Sequence, residues 1–164
     1  MYRVGILTAS DKGAAGERED KSAGAIREII AGLGWQAAVY RIVPDDPEAI
    51  RDALTDMVDR EGLDLILTTG GTGFSPRDNT PEATKSVIER EVPGIPEVMR
   101  AVSLKKTSRA MLSRATAGIR KRTLIINLPG SQKAVRECLE AILDALPHGL
   151  EILTGRGGEC GYGL

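Results

Sequence analysis

Thr69-Gly70-Gly71-Thr72-Gly73 brings three glycines and two hydroxyls into five residues, directly after an apolar run. Glycine tolerates positive φ and close backbone approach, so successive N–H groups in such a turn can form a nest for an anion. The same glycines also suit a plain tight turn. No Gly-Lys-Ser/Thr follows, so the loop is not a P-loop, and Pro76 stands where a dinucleotide fingerprint needs its third glycine. Its extension, Ser75-Pro76-Arg77-Asp78-Asn79-Thr80-Pro81-Glu82, is dense in polar groups and held by two prolines. Asp78 is a candidate metal ligand or acid/base, with an ordinary turn aspartate as the plainer alternative. In Val43-Pro44-Asp45-Asp46-Pro47, Asp46 suits a helix N-cap, which leaves Asp45 free to face a cleft. Two carboxylates brought together above a sheet can hold Mg²⁺. Leu128-Pro129-Gly130-Ser131 leads into a helix whose N-terminus favours phosphate. There Ser131 caps the helix or binds ligand, and Lys133 adds charge or is solvated. Ser10 and Asp11 end the first strand at the same edge, as ligand groups or simple loop formers.

The elements that position these loops alternate. Val4 to Thr8 reads as a strand, followed by a Gly-, Ala- and charge-rich loop from Ser10 to Asp20. Ile26, Ile29, Ile30 and Leu33 recur at helical spacing, and Gly34 is a helix stop. Trp35 to Val43 reads as a second strand. Ala49, Ile50, Ala53, Leu54, Met57 and Val58 make one helix face, and Gly62 ends that helix. Leu63 to Thr68 is a nearly continuous apolar strand, expected where helices cover both sheet faces. Thr80-Pro81-Glu82 starts another helix with Thr80 as cap. Val87 to Pro96 is broken by two prolines and Gly94, and Val98 to Leu104 reads as helical. Lys105 to Lys121 is basic and without a clear pattern. Its charges, with Arg122, form a solvated face or draw in an anionic substrate. Thr123 to Asn127 is a strand. Val135, Cys138, Leu139, Ile142 and Leu143 form the stripe of the last long helix. The alternation predicts an α/β fold, a three-layer α/β/α sandwich with a mainly parallel central sheet. Ligands in such sheets sit beyond the carboxyl ends of the strands, where the loops after Val43, Thr68 and Asn127 converge.

The 164 residues fit one domain, read as 1–156 with a Gly-rich tail at 157–164 expected to be disordered. Twenty-two Lys and Arg against 23 Asp and Glu give no electrostatic case for nucleic acid, and 3% aromatics leave few side chains for base-stacking platforms. No apolar run is long enough to span a bilayer. The start enters a strand at once with no signal-peptide pattern, so a cytoplasmic protein is the simplest expectation. Cys138 falls on a helix stripe as a buried thiol, and Cys160 lies in the tail; neither makes a CxxC pattern. The single histidine, His148, has no metal-ligating neighbours and fits a helix end or the surface.

Taken together, the motifs closely resemble the molybdopterin adenylyltransferase (MogA/MoaB) family, related to the gephyrin G domain. The resemblance is carried by Thr68 to Gly73, Pro76 to Ala83, Leu112-Ser113-Arg114-Ala115, Ala117-Gly118-Ile119-Arg120, Asn127 to Gly130, Pro44-Asp45 and Ser10-Asp11, and covers nearly the whole chain. It implies a MoaB/MogA-like fold and a homotrimer, or a homohexamer on the MoaB branch. It implies transfer of AMP from ATP to molybdopterin with Mg²⁺ and release of pyrophosphate, and hand-over of the product to a molybdenum-insertion protein. The family's two key aspartates correspond to Asp45 and Asp78, as catalytic groups and Mg²⁺ ligands. Its pterin- and phosphate-binding positions correspond to Gly70, Gly71, Thr72, Gly73, Ser75, Thr80, Pro129, Gly130, Ser131 and Ser113. Ser10, Asp11, Thr69, Pro81, Glu82 and Lys133 join them as substrate-binding candidates. Many relatives have proline where this chain has Gln132. The alternative function is a non-catalytic, oligomeric, molybdopterin-binding MoaB-type protein.

Overall fold

The computed structural model describes residues 1–157. In chain order the elements are β1 (Arg3–Ala9), α1 (Asp11–Ala14), α2 (Lys21–Gly32), β2 (Gln36–Val43), α3 (Pro47–Asp59), β3 (Leu65–Thr69) and α4 (Thr80–Val87). They continue with β4 (Arg90–Glu91), α5 (Gly94–Leu104), a 3₁₀ turn at Ser108–Leu112, β5 (Ala117–Arg120), β6 (Thr123–Leu128), α6 (Gln132–Ile142) and α7 (Leu146–Thr154). The six strands form one sheet in the order β2-β1-β3-β6-β5-β4. The four strands β2, β1, β3 and β6 run parallel, with Val4 beside Leu65 and Leu65 beside Leu124. β5 runs antiparallel to β6, and β4 antiparallel to β5.

Side chains alternate across a strand, and here both faces are apolar. Val4, Ile6, Leu65, Leu67, Leu124, Ile126 and Leu128 meet α2, α5, α6 and α7 on one face. Leu7, Ile66 and Ile125 meet Ile50, Leu54 and Met57 of α3 and Ala83 and Val87 of α4 on the other. This is the expected three-layer α/β/α sandwich. Asn127 is the polar exception at its centre. It is fully buried, and its amide donates to the Thr68 and Thr84 hydroxyls at 3.0 and 2.9 Å. Its carbonyl accepts the Thr116 N–H at 3.2 Å, so one side chain ties β3, β6, α4 and the entry to β5 together.

Several boundaries differ from expectation. The loop after Ser10 contains the short α1, capped by the Ser10 hydroxyl. The cap position of α4 belongs to Asn79, which makes no side-chain cap bond, and Thr80 is the first helical residue. The segment broken by prolines holds β4 and the start of α5, because Pro96 lies in the first turn of α5, where the missing N–H costs nothing. The basic segment is not one solvated face. Arg120 and Lys121 pair with Asp59, and Lys106 pairs with Glu137. α7 was unexpected because Pro147 and Gly149 interrupt its sequence; burial of Leu146 and Leu150 outweighs that. His148 lies exposed on α7, and Cys138 is buried on α6, with burial pushing its thiol pKa up. Cys160 and the tail after Gly157 lie outside the described residues.

Candidate functional site

The parallel strands β2, β1, β3 and β6 all end at one edge of the sheet, so their following loops crowd together. Thr69 closes β3 and donates its hydroxyl to the Pro129 carbonyl at 2.6 Å. Gly70 and Gly71 then take φ of 90° and 67°, the left-handed region that favours glycine. A Cβ on Gly70 would lie 2.4 Å from the Ala9 carbonyl oxygen. Gly130 approaches from the other side, its Cβ position 3.5 Å from Gly70 Cα. The glycine turn is therefore wedged between the ends of β1 and β6. Thr80 is fully buried; its N–H donates to the Gly71 carbonyl at 3.1 Å, and its hydroxyl has no hydrogen-bond partner among the described residues.

The expected aspartates lie beside this turn. Asp45 and Asp11 exchange bonds: each backbone N–H donates to the other's carboxylate at 3.0 Å. Arg77 grips both Asp11 oxygens, at 3.1 and 2.8 Å. This pair holds the Asp11 carboxyl below the usual range. Asp45 is shifted up, first by burial, then by the neighbouring Asp11 and Asp78 charges; the Asp11 N–H and Arg77 oppose the shift. Asp78 accepts the Ser75 N–H at 2.9 Å, and the Cβ position of Gly73 lies 2.9 Å from the same Asp78 oxygen.

No cluster of three or more His, Cys, Asp or Glu able to hold a metal occurs among the described residues. Mg²⁺ does not require one, since it is usually held by one or two carboxylates together with substrate phosphates. Asp45 and Asp78 each commit only Oδ2 to the protein. Each keeps Oδ1 without a protein hydrogen bond, which fits a cation shared with phosphates.

The Asp45 shift has a measurable consequence. Its folded pKa lies above the ordinary value, so between the two values the folded protein binds more protons than the unfolded chain. Stability from this group falls as pH rises through that window. Asp45→Asn is expected to melt above the wild type at pH 7 without Mg²⁺, and the gain should vanish once the pH drops below the ordinary carboxylate value. A lower melting temperature at pH 7 would instead make Asp45 a structural anchor.

Two cavities are bordered by the glycine turn and the Pro129-Gly130 loop. The larger, about 700 Å³, is lined by Ser10, Asp20, Lys21, Thr69, Gly70, Gly130 and Ser131. The N-termini of α2 and α6 open into it, and Ser131 caps α6 through the Ala134 N–H at 3.2 Å. The smaller, about 280 Å³, is lined by Thr72, Gly73, Ser113 and Pro129 with the apolar side chains of Met99 and Leu112. Pro81 and Glu82 border a third space of about 440 Å³ behind Arg114. Ser75 is exposed on the loop before Asp78. Lys133 is exposed and lines none of these three cavities.

Three groups beside the expected residues were missed as individual site residues. Arg114 donates to the Gly73 and Asp78 carbonyls at 2.8 and 2.6 Å and pairs with Glu82, so it braces the glycine turn from behind. Glu82 thus spends its carboxylate on Arg114. Asp20 accepts the Thr8 and Tyr40 hydroxyls at 2.5 and 2.7 Å and caps α2. Arg77 is the third. The two arginines lay within the recognised motifs, but only the fold shows which acceptors they meet.

Residues 5–148 match the family described as a probable molybdopterin binding domain. The chain is 46% identical over 154 residues to a molybdopterin adenylyltransferase of Helicobacter pylori, covering 93% of this chain and 88% of that one. It is 44% identical over 163 residues to gephyrin of Dictyostelium discoideum, covering 93% of this chain and 23% of that much longer protein. Among solved structures, the molybdopterin biosynthesis enzyme MoaB of Thermus thermophilus superposes with a TM-score of 0.90 at 59% identity, covering 94% and 98% of the two chains. The chain belongs to this molybdopterin binding domain family, together with the molybdopterin adenylyltransferases and MoaB proteins it matches.

Proposed function

We propose that the protein is a molybdopterin adenylyltransferase of molybdenum cofactor biosynthesis, joining molybdopterin to the AMP part of ATP and releasing pyrophosphate. The observation that carries this reading is the pair Asp45 and Asp78, each with an uncommitted oxygen, beside a glycine turn that borders two cavities. Each of the two substrates can thereby have its own cavity bordered by the same two loops.

The terminal phosphate of molybdopterin is the nucleophile. A phosphate monoester has its second pKa near ~6, so it is largely dianionic at neutral pH and needs no general base. One of its oxygens forms a bond to the α-phosphorus of ATP, and the bond to the bridging oxygen breaks, releasing pyrophosphate with its electron pair. The protein's task is alignment and charge neutralisation. Asp45 and Asp78 would hold Mg²⁺, which supplies positive charge to the polyphosphate. Gly70, Gly71, Thr72 and Gly73 offer backbone donors, Ser10, Thr69, Gly130 and Ser131 line the larger cavity, and Ser113 and Pro129 border the smaller. Residues 1–156 act as one domain within a cytoplasmic homotrimer or homohexamer, and the product passes to a molybdenum-insertion protein.

The second reading is a non-catalytic, oligomeric, molybdopterin-binding protein, which would need the same glycine turn and cavities but no transfer step. Incubation with molybdopterin and Mg·ATP separates the two. The expected result is adenylylated molybdopterin and an equal amount of pyrophosphate. Tight pterin binding with no product would establish the second reading.

A further inference from the structure

Arg77 is the unusual cation of this site. Its guanidinium reaches from the loop after the glycine turn to Asp11, 66 residues earlier in the chain, and meets that carboxylate alone. The pair is open to solvent, with side chains 57% and 46% exposed. Exposed ion pairs contribute little to stability, because holding two long side chains in one geometry costs entropy and salt screens the attraction. Arg114, by contrast, is fixed by two backbone carbonyls as well as Glu82. Arg77 is therefore the arginine here that can leave its partner without taking the glycine turn apart.

Asp11 is also tied to Asp45 through their reciprocal backbone bonds. Arg77 is consequently parked at the edge of the same carboxylate group that is suited to a cation. Its planar fork matches phosphate as well as carboxylate, with two parallel donors.

We propose that Arg77 is a polyphosphate-binding residue, held on Asp11 in the free protein and transferred to the nucleotide's phosphates when Mg·ATP enters. This role rests on the adenylyltransferase reading given above. Asp45 and Asp78 would hold Mg²⁺, whose charge would offset that of the carboxylates and leave the nucleotide's phosphates as the stronger partner for the guanidinium. Asp11 thereby competes with the substrate for Arg77.

Calorimetric titration of the full-length protein with Mg·ATP, without molybdopterin, tests this. Arg77→Ala is expected to weaken binding by about tenfold or more, because charge-assisted hydrogen bonds to phosphate are lost. Arg77→Lys should recover part of the loss. Asp11→Asn keeps an oxygen for the Asp45 N–H but loosens the hold on Arg77, so it should bind at least as tightly as the wild type, by up to about fivefold more. A merely structural clasp would make Asp11→Asn and Arg77→Ala fail alike, and that result overturns the inference. Equal binding by wild type and Arg77→Ala also overturns it, while leaving the adenylyltransferase reading intact. No binding of Mg·ATP to the wild type overturns both. Thermal melts of each variant separate lost binding from lost folding.

Discussion

Asp78→Asn is expected to lower the rate of adenylyl transfer by about a hundredfold or more, with the fold intact. The substitution is nearly isosteric, and its amide oxygen can still accept the Ser75 N–H that Asp78 now holds at 2.9 Å. The turn that presents the residue therefore persists. What disappears is a negative charge beside the glycine turn and an anionic oxygen for a cation. Asp78→Ala removes the turn bond as well, so it should be no more active and somewhat less stable. Rates of adenylylated pterin formation at saturating Mg²⁺, with melting curves alongside, check both variants. Wild-type activity in Asp78→Asn would reduce Asp78 to a turn-forming residue and shift the cation's hold to Asp45.

Gly70→Ala should be the most damaging of the small substitutions, destabilising by about 3 kcal/mol and disabling the site. Two causes add. At φ of 90° a Cβ is strained whatever its surroundings. The new carbon would also lie 2.4 Å from the Ala9 carbonyl oxygen, a backbone atom inside the sheet that cannot move aside cheaply. Relief requires the turn to lift away from β1, which would pull Thr69 from the Pro129 carbonyl. Gly130→Ala is the control, because its Cβ would meet Gly70 Cα at 3.5 Å, an ordinary contact. Urea unfolding of the two variants measures the difference. Equal stability would mean that close approach is not what requires glycine at position 70.

Much of this arrangement was legible in the sequence, for particular reasons. Leu63 to Thr68 reads as a buried strand because both its faces are apolar, and β3 is indeed covered by helices on both sides. The glycine turn and Asp45 announce themselves through residue types tied to special backbone positions. β5 was hidden for the opposite reason. It is only four residues long, and its hairpin turn uses Lys121 at φ 53° where Asn or Gly would have signalled a turn. Thr80 looked like a cap because Ser and Thr often are. Its placement one residue inside α4 follows from tertiary contact with Gly71, which local sequence does not encode. Arg77 and Arg114 were readable as charge but not as struts, since their partners lie 66 residues away for one and 32 to 41 for the other.

The strand order has a consequence for how the chain acquires this site. β3 stands between β1 and β6, so its second neighbour is the last strand among the described residues to be synthesised. The Thr69 hydroxyl finds its acceptor 60 residues later. During synthesis the Leu65–Thr69 edge therefore stays open until Thr123–Leu128 has left the ribosome. Such distant pairing slows folding and leaves an apolar strand available to other chains. A nascent chain arrested before Thr123 should consequently bind holdase chaperones and aggregate, while release of a chain that includes α6 completes the sheet and the ligand-binding edge in one step.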